Sequence, residues 1–378
     1  MTTTAPLRAA ASEPLVPTQS AAAHLNPENL DRAQRALVAK AIAEFSHERL
    51  LRPVPDGDGW RLDGPVSSHR FRARRFALDH WVLDAASLTR TVDERPAPLD
   101  VQALVAEFAD LLGLPPRLLP TYLEELAATL AAACWKLDHQ RIAVQELIHA
   151  DHQVVEGAMS EGHPAFVANN GRIAFGVDEH AAYAPEASRN LRLLWLAVRR
   201  DQSRLATGRG VSEEALYASE LGADTVRRFT RQLRELALDP DEYRFLPVHP
   251  WQWRRKLAIT YFSVSRPERH YVKTALAIQN MGFLRGLSPA YMRATPAIND
   301  WVADLVEADP ELQAYGFGVL RELATIGWTG DVFHALPEPS PYRKMVAALW
   351  RESPVPRLAA GERAATMAAL LHRDAQGA

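Results

Sequence analysis

Four turn-rich clusters hold the side chains of this sequence that are best suited to chemistry. They combine His, Arg, Lys and Asn with Gly or Pro, and they occupy residues 161–164 (EGHP), 247–253 (PVHPWQW), 270–274 (HYVKT) and 280–285 (NMGFLR). Cations and amide donors on stiff turns suit ligands with several negative charges, because hydrogen bonds to phosphate or carboxylate are strengthened by charge. The clusters therefore indicate binding of a phosphate, a carboxylic acid or both.

Each cluster also has a purely structural interpretation. His163 and His249 both precede proline, and a His-Pro turn can simply cap a strand. Lys273 lies in an alternating apolar run, so it either faces solvent from a strand or points into a cleft, and Arg285 has the same two interpretations. For the two tryptophans of the HPWQW run, packing beneath a turn is favoured over stacking on a base. Composition alone does not choose between these interpretations.

General catalytic motifs are absent from the 378-residue sequence, which contains no P-loop, no GxGxxG, HExxH or GxSxG pattern and no CxxC pair. The net charge of −3 gives no basic surplus of the kind that nucleic acid or an anionic membrane attracts. The lone Cys134 excludes an intramolecular disulfide and fits a reducing cytoplasm, and we interpret it as a buried, inert thiol. His139, His149, His152 and His180 lack metal-site spacing, so we predict no metal ligands.

No segment approaches the roughly 18–20 uninterrupted apolar residues that a membrane span needs. Residues 1–26 are rich in Ala, Pro, Thr and Ser and have no continuous apolar stretch of the kind found in secretory signals. We interpret them as a disordered leader. The remainder is divided into a helical unit over residues 27–150 and a substrate-binding unit over residues 151–378.

The elements that must position the clusters follow from hydrophobic periodicity. Helical spacing predicts helices over residues 29–52, 101–112, 121–149, 188–207, 212–238, 297–316 and 342–350. Asp100 is a candidate N-cap for the second of these, and residues 121–124 (TYLE) form a capping-box pattern for the third. Strand character is found at residues 60–82, 172–175, 245–253 and 271–283. The expected fold is therefore α+β, rich in helices, with an antiparallel sheet.

The longer blocks around the clusters resemble one known family. These blocks are residues 161–200, 245–258, 266–301 and 340–356, and they include HPWQW and the VKTA, NMGF and ATPAIND motifs. From about residue 147 onward the sequence is similar to the synthetases that make siderophores without a nonribosomal peptide synthetase, of the IucA/IucC type. The resemblance implies a cupped-hand architecture with thumb, fingers and palm.

Such enzymes activate a carboxylate of citrate, a citryl or a succinyl derivative with ATP and Mg²⁺. An amine, a hydroxamate-bearing polyamine or an alcohol then attacks the acyl-adenylate. Matched to the family pattern, Lys273 is expected to contact ATP phosphate and Arg285 to lie between phosphate and substrate carboxylate. His163, Asn280 and His249 are expected at the substrate, with His163 and Arg285 closest to the chemistry.

The sequence departs from the family pattern in two places that bear on function. A Ser-x-Arg-Thr motif expected between HPWQW and RPERHYVKT is not restored by Ser263, Ser265 and Arg266. The resemblance also implies a C-terminal palm with much of the nucleotide and Mg²⁺ environment, which we do not find before Ala378. Two interpretations stay open: a ligase of this family that is truncated or is completed by a separate palm polypeptide, or a non-catalytic remnant that binds substrate. The resemblance also implies a possible homodimer.

Overall fold

A computed structural model describes residues 22–140, 142–159, 161–163, 165–187, 191–250, 258–263, 269–276 and 278–372. The predicted leader therefore falls largely outside the described residues. Residues 22–26, which we assigned to that leader, are structured: Ala23–Leu25 form a 3₁₀ turn in which His24 is buried. The Asn26 side chain accepts a hydrogen bond from the Asn29 amide and begins the first helix.

The first part of the chain folds into a sheet covered by helices. Its elements are α1 (Pro27–His47), β1 (Val54–Asp56), β2 (Gly59–Asp63), β3 (Ser67–Arg75), β4 (Trp81–Val92), β5 (Arg95–Ala97), α2 (Val101–Glu107) and α3 (Leu119–His139). The five strands pair antiparallel in chain order. The apolar stripe of α1 is buried, including Leu37 and Ala41, and it packs with Leu88 of β4 and Leu126 of α3 in one hydrophobic core.

Two details of these helices differ from the prediction. Asp100 caps α2 as expected, because its side chain accepts from the amides of residues 102 and 103. The capping box at residues 121–124 is wrong, since α3 begins earlier, after Leu118, with no side-chain cap. The same helix ends at His139 rather than His149, because Gln140 adopts an extended backbone.

The middle of the chain contains short helices and three strands. It comprises α4 (Val144–Leu147), α5 (His152–Ala158), α6 (Val177–Tyr183), β6 (Leu194–Arg199), β7 (Ser203–Thr207), α7 (Glu213–Leu221), α8 (Ala223–Glu235) and β8 (Tyr243–Val248). The helix predicted over residues 188–207 is wrong: its apolar run forms β6 and β7, and β6 pairs along its whole length with β8. The strand predicted over residues 172–175 is reduced to one bridge between Ile173 and Gln279.

The last part builds the second large sheet. It comprises β9 (Ala258–Ser263), β10 (His270–Leu276), β11 (Gln279–Asn280), β12 (Phe283–Leu284), α9 (Pro289–Ala308), α10 (Pro310–Ala314), β13 (Glu322–Trp328), α11 (Val332–Ala335) and β14 (Ala347–Glu352). The sheet order is β7-β13-β14-β10-β9, and every pairing is antiparallel. The helix predicted over residues 342–350 is wrong, because residues 347–350 are fully buried in β14 between two neighbouring strands.

The described architecture is thus α+β with antiparallel sheets, as the sequence predicted, and the hand-like subdivision stays a prediction. One face of α9 is apolar and exposed, with Tyr291, Ile298, Trp301 and Leu305 spaced along it. Each helix in the described ranges is too short or too polar to cross a lipid bilayer.

Candidate functional site

The first component of the site is a turn that packs on α3. We call residues 161–163 and 165–171 the Asn turn. Val167 and Ala168 are buried in the first core, and the Phe166 ring meets Tyr122 of α3 edge-on at 6.0 Å between centroids. Gly171 approaches α3 so closely that a β-carbon there would lie 3.0 Å from the β-carbon and carbonyl oxygen of Glu125. The Asn turn is therefore anchored to the first core, although it follows α3 by many residues.

The Asn turn is held in shape from inside by Asn169, whose side chain is buried. Its Nδ2 donates to the His163 carbonyl oxygen at 3.1 Å and to Glu161 Oε2 at 2.6 Å. Glu161 also forms an ion pair with Lys40 of α1. These contacts fix the backbone at His163. The residue itself is exposed, so its side chain is accessible to a ligand.

The second component is the two-stranded ribbon of β11 and β12, which we call the Gly282 hairpin (Gln279–Leu284). Met281 and Gly282 form its two-residue turn, both with positive φ (54° and 76°), as the twist of a type I′ turn requires. Asn280 Nδ2 donates to the Gly171 carbonyl at 2.5 Å. The hairpin is therefore docked on the Asn turn.

Arg285 follows the hairpin and is tied to it by two hydrogen bonds. Its Nη2 donates to Asn280 Oδ1 at 3.0 Å, and its backbone amide donates to the Ile278 carbonyl at 3.1 Å. Since Asn280 in turn bonds Gly171, one hydrogen-bonded path runs from Arg285 to the Asn turn. The structure thus brings Arg285, Asn280 and the His163 backbone together.

Lys273 lies on β10, where residue 349 of β14 and residue 262 of β9 are its register partners. It is half-buried, and burial lowers the pKa of its ammonium group. Glu322 opposes this shift, whereas the positive charges of Arg351 and Arg285 add to it. Three cations therefore share one partly desolvated region, which an anionic ligand would stabilise.

His249 lies behind this region and is completely buried. Its ring meets Tyr183 edge-on at 4.9 Å, and Tyr183 packs with the buried pair Leu276 and Ile278. Burial lowers the pKa of the imidazole to about 4, so the ring is neutral near pH 7. His249 is therefore a buried, neutral ring that packs through Tyr183 against Leu276 and Ile278.

Three residues of the site were not selected from the sequence. Asn169 lies in the block of residues 161–200 that resembles the family, but its role was not predicted. Arg351 follows the apolar run of β14, which we had assigned to a helix. Nothing in the sequence singles out Glu125 as functional, because it is one of several polar residues in an amphipathic helix.

Several predictions from the sequence lie outside the described residues. The two tryptophans of the HPWQW run, Ser265 and Arg266 are among them, and Ser263 is described only as the end of β9. Cys134 is buried as predicted, and burial raises its pKa to about 11, which makes it a poor nucleophile. Within the ranges given above, no three His, Cys, Asp or Glu side chains cluster closely enough to hold a metal, so we assign no Mg²⁺ ligand.

Comparison with known proteins decides the family. The model of the IucA / IucC family matches residues 151–263 and 260–372. This chain belongs to the IucA/IucC family. The match begins after α3 and includes all five site residues chosen from the sequence, so the synthetase family named from the motifs is confirmed.

Relatives in this family extend over nearly the whole chain. Putrebactin synthase of Shewanella sp. (strain MR-4) is 40% identical over 98% of this chain and 63% of its own length. Aerobactin synthase of Escherichia coli is 27% identical over 93% of this chain and 65% of its own length. The chain therefore spans just under two thirds of the length of these IucA/IucC relatives.

Solved structures of the family share the fold. Aerobactin synthetase IucC from a hypervirulent Klebsiella pneumoniae pathotype superposes with a TM-score of 0.76 at 26% identity, covering 93% of this chain and 65% of that one. Petrobactin biosynthesis protein AsbB of Bacillus anthracis str. Sterne gives 0.79 at 20% identity, covering 94% and 64%. The mixed helix and antiparallel-sheet architecture is thus that of IucA/IucC synthetases.

Proposed function

We propose that this chain supplies the carboxylate- and ATP-binding part of a siderophore-forming ligase. A carboxylate of citrate, or of a citryl or succinyl derivative, attacks the α-phosphorus of ATP, forming an acyl-adenylate and releasing pyrophosphate. An amine, a hydroxamate-bearing polyamine or an alcohol then attacks the acyl carbon, and AMP leaves as the amide or ester forms. Membership of the IucA/IucC family, with its putrebactin and aerobactin synthases, supports this proposal.

The observation that carries the proposal is the pairing of Arg285 with Asn280 beside the half-buried Lys273. Bringing a carboxylate to a triphosphate forces negative charges together, so the site must neutralise them and hold the reactants in line. Lys273 is partly desolvated and lies near two further cations as well as Glu322, and a bound anion would offset both the desolvation and the repulsion between the cations.

Each predicted residue then has a distinct role. Lys273 binds a phosphate of ATP, and Arg285 bridges that phosphate and the substrate carboxylate. His163 and Asn280 donate hydrogen bonds to the carboxylate from the Asn turn and the Gly282 hairpin, and His249 supports the wall. Mg²⁺ bound with ATP supplies countercharge to the phosphates.

Equilibrium binding tests these roles directly. We expect titration calorimetry to detect ATP and citrate binding to the chain, and Lys273→Met and Arg285→Ala each to weaken ATP binding about tenfold or more, as loss of a charge-assisted hydrogen bond does. Arg293→Ala is the matched control, since Arg293 is an exposed arginine of α9 close in sequence to Arg285. An unchanged ATP affinity in both site variants would remove the basis of the proposal.

Pyrophosphate release separates the ligase from a binding remnant. Release by the chain with ATP, Mg²⁺ and citrate or a succinyl hydroxamate supports a catalytic unit. Release only after a palm-domain polypeptide is added supports a substrate-binding half of a larger enzyme. Binding without release in either arrangement contradicts catalysis and leaves the remnant.

A further inference from the structure

The buried carboxylate of Glu125 contacts the site from α3, a helix that contains none of the four sequence clusters. Glu125 is a residue of α3 and is only 1% exposed. Its helix neighbours Leu126 and Leu130 belong to the first hydrophobic core. A carboxylate in such surroundings is costly unless it is compensated, so its contacts show what it does there.

One compensating contact is with the turn of the Gly282 hairpin. Glu125 Oε1 accepts the backbone amide of Gly282 at 2.8 Å, although the two residues are 157 positions apart. In the ranges covered by the structure, Glu125 Oε2 has no hydrogen-bond partner. Burial raises the pKa of this carboxyl, and the Gly282 amide and the charge of Arg285 oppose that shift.

Glu125 also meets the Asn turn. Gly171 lies against its β-carbon and carbonyl oxygen with no room for a side chain, and the Gly171 carbonyl accepts from Asn280 of the hairpin. Three elements therefore converge on this one residue: α3, the Asn turn and the Gly282 hairpin. Arg285 extends from the hairpin and is its electrostatic neighbour.

We propose that Glu125 is a positioning residue, which tethers the Gly282 hairpin to α3 and thereby holds Asn280 and Arg285 in place for the acid and the nucleotide. This inference rests on the proposed function. The tether is the hydrogen bond that the Glu125 carboxylate accepts from the Gly282 amide. An apolar side chain of similar volume fills the same space in the core but cannot accept that hydrogen bond.

This difference defines two variants and a control. Glu125→Leu keeps the packing and removes the acceptor, and it also removes a carboxylate whose burial is costly, which offsets the lost hydrogen bond. Glu125→Gln keeps an oxygen that can accept from Gly282. Glu124→Gln is the control, because Glu124 is the adjacent, exposed residue of the same helix.

Amide hydrogen exchange of the ligand-free chain measures how firmly the hairpin is held, independently of activity. We expect Glu125→Leu to accelerate exchange over residues 279–285 about tenfold, in keeping with the loss of one hydrogen bond to a charged group. The stability of the whole chain to urea should stay the same or rise. Glu125→Gln and Glu124→Gln should both exchange like the wild type in this segment.

Ligand affinity measures how the tether affects binding at the site. We expect Glu125→Leu to weaken ATP and citrate binding about five- to tenfold, and Glu125→Gln to restore affinity to within about twofold. Unchanged exchange at the hairpin in Glu125→Leu, or failure of Glu125→Gln to restore it, overturns the inference. If the wild type binds neither ligand while exchange still responds to Glu125, the proposed function fails and only the structural tether remains.

Discussion

The two five-stranded sheets of this molecule are built in opposite ways. In the first, β1 to β5 lie side by side in chain order, so each strand pairs with one that is close in sequence. In the second, β7 pairs with β13 and β10 with β14, across at least 70 intervening residues. The pairings of the first sheet are all local, whereas the second sheet combines the local pairs β9–β10 and β13–β14 with these two non-local pairs, which must overcome a larger loop-closure entropy.

The two sheets also differ in the surroundings of their positively charged side chains. On the first sheet Arg70 pairs with Asp56 at 3.0 Å and Arg72 with Asp84 at 2.7 Å, all with exposed or half-exposed side chains. These arginines are solvated and neutralised locally. Lys273 of the second sheet is instead half-buried near further cations, and its pKa is lowered. An arginine-rich segment therefore does not by itself mark a binding site, and the partly desolvated cation cluster is the better candidate.

Removing the central side chain of the second sheet gives the largest expected effect. Trp350 is fully buried in β14, and Trp350→Ala should lower the free energy of unfolding by about 3–5 kcal/mol. In urea unfolding followed by hydrogen exchange, protection should fall mainly in β10, β13 and β14. Leu88→Ala in β4 is the matched change in the first core and should lower protection mainly there. Equal loss of protection in both sheets from either variant would show that they unfold as one unit.

A smaller effect is expected at a buried ionic cluster that includes residues of α3 and α6. Glu186 receives Arg172 Nη1 at 2.5 Å and Nη2 at 3.0 Å, and it is buried beside His180 and Lys136. The positive charges of Arg172 and Lys136 hold the pKa of its carboxyl at about 2, although burial alone would raise it.

Glu186→Gln leaves the cations uncompensated, so we expect a loss of about 3 kcal/mol in the free energy of unfolding, measured in urea. The matched control is Asp304→Asn, which breaks the exposed ion pair of Asp304 with Arg209. Exposed pairs contribute little, so the control should leave the urea midpoint nearly unchanged. Similar losses in the two variants would mean that Glu186 is not part of a buried ionic cluster.

The same contrast explains what could be predicted from the sequence. Part of the first sheet was found, because aromatic and apolar residues give residues 60–82 local strand character. The outer strands β1 and β5 were not predicted. The second sheet was partly mistaken for helix, since residues 342–350 contain good helix formers such as Ala and Leu. Burial between β10 and β13 overrides that propensity. Propensity is a local property, and it fails where a strand is specified by partners far away in the chain.

For the site, the sequence identified side chains but not their supports. Lys273, Asn280 and Arg285 were selected because they stand in unusual turn-rich clusters and match family motifs. Glu125 was not selected, since its partner Gly282 is 157 residues away. A tether between distant segments leaves no periodic or compositional signal in either one.

The smallest of these effects depends on pH and concerns the wall behind the site. His249 has a pKa of about 4 in the folded chain, against about 6.5 as its ordinary value. Between these values the unfolded chain binds more protons at this residue than the folded chain, so the stability contributed by neutral His249 is complete above about pH 6.5. It is lost as the pH falls towards 4, by about 1.4 kcal/mol per pH unit.

The variant His249→Gln should therefore unfold with a shallower dependence on pH than the wild type between pH 6.5 and 4.5, measured by urea midpoints at each pH. Some dependence should remain, because His69 and His180 are also buried and have pKa values of about 4. His149→Gln removes an exposed histidine instead and serves as the control, with a pH dependence parallel to that of the wild type. Parallel curves for His249→Gln and the wild type would mean that His249 is solvated in the native state. His249 would then not belong to the closed packing around Tyr183, Leu276 and Ile278.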